Sequence, residues 1–140
     1  MTKLSQWEAF MVETLRAKGL QDDVLLDALA NGDTRPLEAV SDAFDFSDLV
    51  DAFKEDRERI TASIREEYQV KFLTKPGVTR LLKLRFGLRL GESYEETEAG
   101  VINVPLSTEQ VESFQTLLSS NWTLRLSSDG HYDIVQISLV

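Results

Sequence analysis

Apolar and polar positions alternate most regularly between Leu81 and Leu90, where Leu82, Leu84, Phe86, Leu88 and Leu90 are separated by Lys83, Arg85, Gly87 and Arg89. A period of two over nine residues predicts a strand with one buried and one solvated face. On a helix the same leucines would spread around the whole circumference and define no single face. The solvated face of this strand would carry three cations, Lys83, Arg85 and Arg89.

The first half follows a different period. Ser5 with Glu8 forms a capping box, and Trp7, Phe10, Met11 and Leu15 recur at helical spacing up to Gly19. A second helix is predicted from about Asp22 to Ala30, with two aspartates at its positive end and Gly32 after it. Asp33 or Thr34 can cap a third, which takes Pro36 in its first turn and turns Leu37 and Val40 inward. A long fourth helix is predicted from near Ser47 to about Glu66, its stripe drawn by Phe46, Leu49, Val50, Phe53, Ile60 and Ile64. Arg57 interrupts that stripe. Its stem can pack on the core while its head reaches water, or the cation can face a cleft and meet an acidic ligand.

Beyond the helices, Tyr68, Val70 and Phe72 alternate with polar residues as in a strand, and Pro76-Gly77 has the composition of a type II turn. A plain hairpin through that turn would set Val70 opposite Lys83, so a bulge or a helical turn over about Lys75 to Leu81 is required. An acidic loop spans Gly91 to Gly100, its glutamates placed near the preceding cations. A short strand from Val101 to Val104 follows, and then a helix capped by Ser107 and Gln110 with Val111, Phe114, Leu117 and Leu118 on one face. Asp129-Gly130 predicts a two-residue turn closing Trp122–Ser127 on Tyr132–Leu139, with Leu124 opposite Val135 and Trp122 opposite Ile137.

Together these elements predict an α+β fold: a helical N-terminal half of about four helices packed on a mainly antiparallel sheet of four or five strands, with one further helix and a C-terminal β-hairpin. Nothing in the sequence marks a linker or repeat, so one domain over residues 1–140 is expected.

Composition narrows the chemistry. With no cysteine and a single histidine, zinc, haem and Cys-His or Ser-His-Asp sites lack their side chains. His131 flanks the predicted hairpin turn and is read as structural. The glycines form no phosphate-cradling motif. Asp42, Asp45, Asp48 and Asp51 recur every third residue, but they lack the glycine and ligand pattern of a calcium loop and suit a helix start without metal. No catalytic constellation, cofactor or metal site is therefore expected. A cysteine-free chain whose N-terminal residues lack an apolar signal core fits the cytoplasm.

The net charge of −9 opposes general binding to nucleic acid or anionic membrane. Residues 71–90 nevertheless hold six cations and no anion, leaving nine cations against 24 anions elsewhere. The expected function is a small non-enzymatic protein-interaction or regulatory module with a protein partner. The alternative is a binder of a phosphorylated small molecule or nucleic-acid backbone. The candidate contact residues are Lys83, Arg85, Arg89 and Arg57. Against both readings stands the use of strand charges simply to prevent edge-to-edge aggregation.

Overall fold

Side chains of Ser5, Asp56, Thr74 and Ser107 cap four of the helix starts. Ser5 Oγ accepts the Glu8 N–H at 3.0 Å while Glu8 Oε1 accepts the Ser5 N–H at 2.8 Å, completing the box predicted from their spacing. The computed structural model describes residues 1–137, in the order β1 (Lys3–Leu4), α1 (Gln6–Ala17), α2 (Asp22–Asn31), α3 (Arg35–Glu38), α4 (Ser47–Glu55), α5 (Arg57–Arg65), β2 (Gln69–Val70), α6 (Lys75–Phe86), β3 (Glu95–Glu96), β4 (Gly100–Val104), α7 (Thr108–Leu117), β5 (Trp122–Leu126) and β6 (Tyr132–Gln136). The class is α+β, with seven helices and a four-stranded antiparallel sheet among the described residues. Contacts divide the chain into two compact units, Met1–Tyr68 and the remainder from Gln69. The sequence carries no compositional break at that point.

In the first unit the helices enclose Phe10, Met11, Leu15, Leu25, Leu29, Leu37, Phe46, Leu49 and Ile60, all buried. Trp7, expected in the buried stripe of α1, is 50% exposed and sets its ring edge-on to Phe44 at 4.9 Å. Ala9 and Val12 take the inward positions instead.

The single long helix predicted from Ser47 to Glu66 is two helices. Asp56 leaves helical geometry at φ −146°, ψ 77°, and its Oδ1 accepts the Arg59 N–H at 3.2 Å, so a short acidic side chain caps a new start. Arg57 is thus the first residue of α5 rather than a mid-helix intruder, and it is exposed.

Charge is managed by two networks. Glu13, 3% exposed, accepts from Tyr68 Oη at 2.6 Å and from Arg16 Nη1 at 3.3 Å. Arg16 also donates to Asp22, Nε to Oδ1 at 2.9 Å, and through Nη2 to the Ile64 carbonyl at 2.6 Å. One guanidinium thereby ties α1 to the start of α2 and the end of α5.

Nearer the N-terminus, Arg59 grips Glu8 through both terminal nitrogens, at 2.9 and 3.1 Å. Burial pushes the Glu8 carboxyl up, but the hydrogen bonds from Arg59 and from the Ser5 N–H outweigh it and hold the group below its usual range. The native state therefore binds fewer protons than the unfolded state. The resulting stability is present above the unfolded value, near about 4.3, and is lost as pH falls through the lower native value. An Arg59→Leu variant should lose about 1–2 kcal/mol at neutral pH and show a flatter decline in urea stability from about pH 5 to 3 than the parent.

In the second unit the sheet order is β3-β4-β6-β5, antiparallel throughout. The hairpin forms as expected but its register differs by one residue. Leu124 faces Ile134 and Trp122 faces Gln136. Ser127 N–H donates to the His131 carbonyl at 2.8 Å, so three residues, not two, make the turn. The cause is local side-chain chemistry. Asp129 Oδ1 takes both the Ser127 hydroxyl and the His131 N–H, and this stabilises the longer loop. Ser138 and Leu139, assigned by sequence to the final strand, lie outside the described residues.

β4 runs between β3 and β6 with a register shift between Val101 and Val104. It passes so close to β6 that a Cβ on Gly100 would lie 2.1 Å from the Ile134 carbonyl oxygen. Asn103 adopts φ 60° at this irregularity, with its N–H donated to Asp133 Oδ1 at 3.2 Å.

Candidate anion-binding site

The segment that sequence reads as a basic strand is the helix α6. Thr74 Oγ1 accepts the Gly77 N–H at 3.1 Å and Pro76 occupies the first turn, where its missing N–H costs nothing. The Pro76-Gly77 pair thus opens a helix and forms no type II turn. The helical turn allowed from Lys75 continues to Phe86.

Val78, Leu81 and Leu82, at i, i+3 and i+4, are fully buried, whereas Leu84 and Phe86 are half-buried and Lys83 is exposed. Alternation misleads here because leucines placed around the helix need not all be buried. The decisive signal is residue type: from Arg80 to Leu90 no β-branched residue occurs, and leucine, lysine and arginine favour helices.

The position of α6 is set from its N-terminal side. The Leu73 N–H donates to Ser119 Oγ at 2.9 Å, and the Leu73 carbonyl accepts Trp122 Nε1 at 2.8 Å and Asn121 Nδ2 at 3.2 Å. At its other end Gly87 turns the chain through the left-handed region, φ 70°, ψ 15°. The peptide of Arg89 is then pinned. Its N–H donates to Ser93 Oγ at 3.1 Å, and its carbonyl accepts the Ser93 and Glu92 N–H groups at 2.8 and 3.2 Å.

Helical geometry sorts the predicted cations. Arg80 and Lys83 are three residues apart and share one face. The turn at Gly87 brings Arg89 to the same side. Together with Thr79 and Leu90 they line an open depression of about 350 Å³.

Arg85 is directed elsewhere. It lies about 200° around the helix from Lys83, and its Nη1 donates to Ser113 Oγ at 2.9 Å on α7. Beside it Phe86 meets Phe114, ring centroids 5.9 Å apart. Arg57 belongs to the first unit, with its guanidinium carbon 5.3 Å from the centroid of the Phe53 ring, a cation–π contact. It borders a separate depression with Arg65 and Glu66.

The structure therefore brings two of the four predicted residues, Lys83 and Arg89, into one site and directs Arg85 to Ser113, while Arg57 belongs to the other unit. Arg80 was missed, although its spacing from Lys83 would have revealed it once the segment was assigned as a helix.

Surrounding charge is compatible with an anion. The first unit holds eight cations against sixteen anions, the second seven against eight. Of the acidic loop, Glu96 pairs with Lys75 at 3.7 Å.

A neighbouring depression of about 370 Å³ is bordered by Glu92, Glu95, Asp129 and His131. Tyr94 also contributes, but burial and the nearby Glu96 charge push its phenol up to about 12, so at neutral pH it stays protonated and is no base. Among the described residues, no group of three or more His, Cys, Asp or Glu side chains is placed to hold a metal ion, and no helix is long and apolar enough to cross a membrane. Comparison with protein-family models, curated proteins and solved structures gives no match.

Proposed function

We propose that this protein is a small cytoplasmic, non-enzymatic interaction module that receives an acidic group of a partner protein in the depression formed by Arg80, Lys83 and Arg89. The observation that carries this reading is the convergence of three cations, two from α6 and one from the turn after it, on one open concavity. A pinned Arg89 backbone removes part of the ordering cost of binding. Leu90 adds an apolar surface beside the charges, which suits the stem of a side chain.

The alternative, a phosphorylated small molecule in the same place, gains support from the limited size of the concavity. A nucleic-acid backbone needs cations distributed along a groove, usually interleaved with stacking aromatics. Among the described residues, no aromatic side chain borders this depression.

The test is affinity capture on the immobilised protein at low ionic strength, comparing the parent with Lys83→Glu/Arg89→Glu. Retention of a defined set of proteins by the parent, weakened by salt and lost in the double variant, is the expected result. Undiminished retention by the double variant would remove the depression as the docking site.

A further inference from the structure

We infer that β5 is a pairing edge on which a second copy of this chain adds its own β5, antiparallel, with Leu124 of one copy opposite Leu124 of the other. The two rims of the four-stranded sheet are built differently. At one rim β3 is only two residues long and carries Glu95 and Glu96, both exposed, as outer strands that stay unpaired commonly do. At the other rim β5 runs for five residues in unbroken register with β6. It has no proline and one charge, Arg125, and it leaves Leu126 66% exposed. The cations that sequence assigns to guarding a strand stand on α6 instead.

Antiparallel pairing aims the backbone groups of alternate residues at the partner strand. The Asn121 carbonyl accepts the Ile137 N–H at 3.0 Å, and the Ser127 N–H donates to the His131 carbonyl at 2.8 Å. Odd-numbered residues between them therefore face β6, and even-numbered residues face outward. The Trp122 N–H is already donated to the Ser119 carbonyl at 3.1 Å. Among the described residues, no backbone group pairs with the Leu124 and Leu126 N–H groups or with the Trp122 and Leu124 carbonyls.

A second β5 centred on Leu124 satisfies all of these groups in both copies. The two Leu124 residues exchange N–H and carbonyl, and each Leu126 N–H meets the Trp122 carbonyl of the other copy. Each exposed Leu126 then lies opposite the other copy's Trp122, and each Arg125 opposite Thr123. Centring the pair on Arg125 would set two arginines face to face, and centring it on Thr123 would leave Leu126 outside. Charge permits the contact, because the unit from Gln69 onward holds seven cations against eight anions and the chain's excess of anions belongs to the other unit. Four backbone bonds and two leucines make a small interface, so the association is weak and reversible.

The experiment is sedimentation equilibrium of the intact protein from about 5 to 500 µM, a span suited to a small interface. The mean mass should rise from that of one chain toward that of two. Leu126→Pro removes an outward N–H that the β5–β6 ladder does not use, a change that an edge strand tolerates. With folding confirmed by circular dichroism, it should weaken association at least about tenfold, and Leu126→Thr, which keeps the N–H, by less. Because the chain has no cysteine, register is read by mixing Thr123→Cys chains with tagged Arg125→Cys chains under mild oxidation. The mixed disulfide should exceed either symmetric one several-fold. A single-chain mass throughout the range overturns the inference, whether or not the edge accepts a strand of another protein. So does association undiminished in folded Leu126→Pro, or a predominance of the symmetric Arg125→Cys product.

Discussion

Gly100→Ala should cost the second unit about 3 kcal/mol or more, lowering its melting temperature by at least about 10 °C. The new Cβ would meet the Ile134 carbonyl oxygen at 2.1 Å, the Val135 Cα at 2.9 Å and the Trp122 ring at 3.0 Å. The first two are backbone atoms of β6, so relief requires moving a strand that pairs with β4 on one side and β5 on the other. The third belongs to a buried tryptophan whose indole N–H is anchored on Leu73. None of the three can retreat as a flexible side chain would.

Gly87→Ala is the matched control. Gly87 also has positive φ, but nothing lies within 4 Å of an added Cβ, so only the left-handed backbone is penalised, by about 1 kcal/mol. Thermal unfolding followed by circular dichroism should rank the two variants widely apart. A Gly100→Ala protein melting within about two degrees of the parent would show that β4 does not approach β6 this closely.

Arg16→Met should destabilise the first unit by about 3–5 kcal/mol, the typical cost of leaving one partner of a buried ion pair uncompensated. Methionine replaces the stem but none of the donors. Glu13 would keep the Tyr68 hydroxyl but lose its cation, and the Ile64 carbonyl would lose the Nη2 donor that reaches it at 2.6 Å. Asp22, half-exposed, can turn to water and contributes less.

Because most of the loss comes from a stranded charge, neutralising that charge should recover part of it. Arg16→Met/Glu13→Gln should be more stable than Arg16→Met alone, by at least about 1 kcal/mol in urea unfolding at pH 7. A double variant that is less stable than either single one would mean that the arginine acts through packing and its contact with Ile64, with Glu13 incidental.

The legibility of the sequence followed whether a signal was local. The capping boxes at Ser5–Glu8 and Ser107–Gln110 appear as predicted because each is complete within four residues. The closing hairpin is legible in the sequence, but its register differs by one residue from the one that hydrophobic alternation selects. Asp129 accepts from both Ser127 and His131, a choice of loop length that hydrophobic alternation does not encode. The break at Asp56 had a visible cue in Arg57, which fell in an apolar stripe because a second helix begins there.

Pattern and structure differ most at α6. Its alternating leucines imitate a strand, while the absence of β-branched residues from Arg80 to Leu90 and the Thr74-Lys75-Pro76 start speak for a helix. That one assignment governed the site as well. On a strand Lys83, Arg85 and Arg89 would share a face. On a helix Arg85 turns to Ser113, and Arg80 takes its place beside Lys83. The partnership of Glu13, Arg16 and Tyr68 spans 55 residues and has no sequence signature that could have foretold it.

The strand order β3-β4-β6-β5 also imposes a timetable. Ile134 pairs with Leu124, ten positions away across a three-residue loop, and with Val101, thirty-three positions away across α7 and β5. The nearer pairing closes on the microsecond scale of an isolated hairpin, whereas the farther one must first overcome the larger closure entropy of the intervening chain. Loop closure alone therefore favours the β5–β6 pairing forming before β4 joins the other rim of β6. The residue that must slide against that rim with no side chain of its own is Gly100, so the long-range pairing of the sheet is also the one with the narrowest fit.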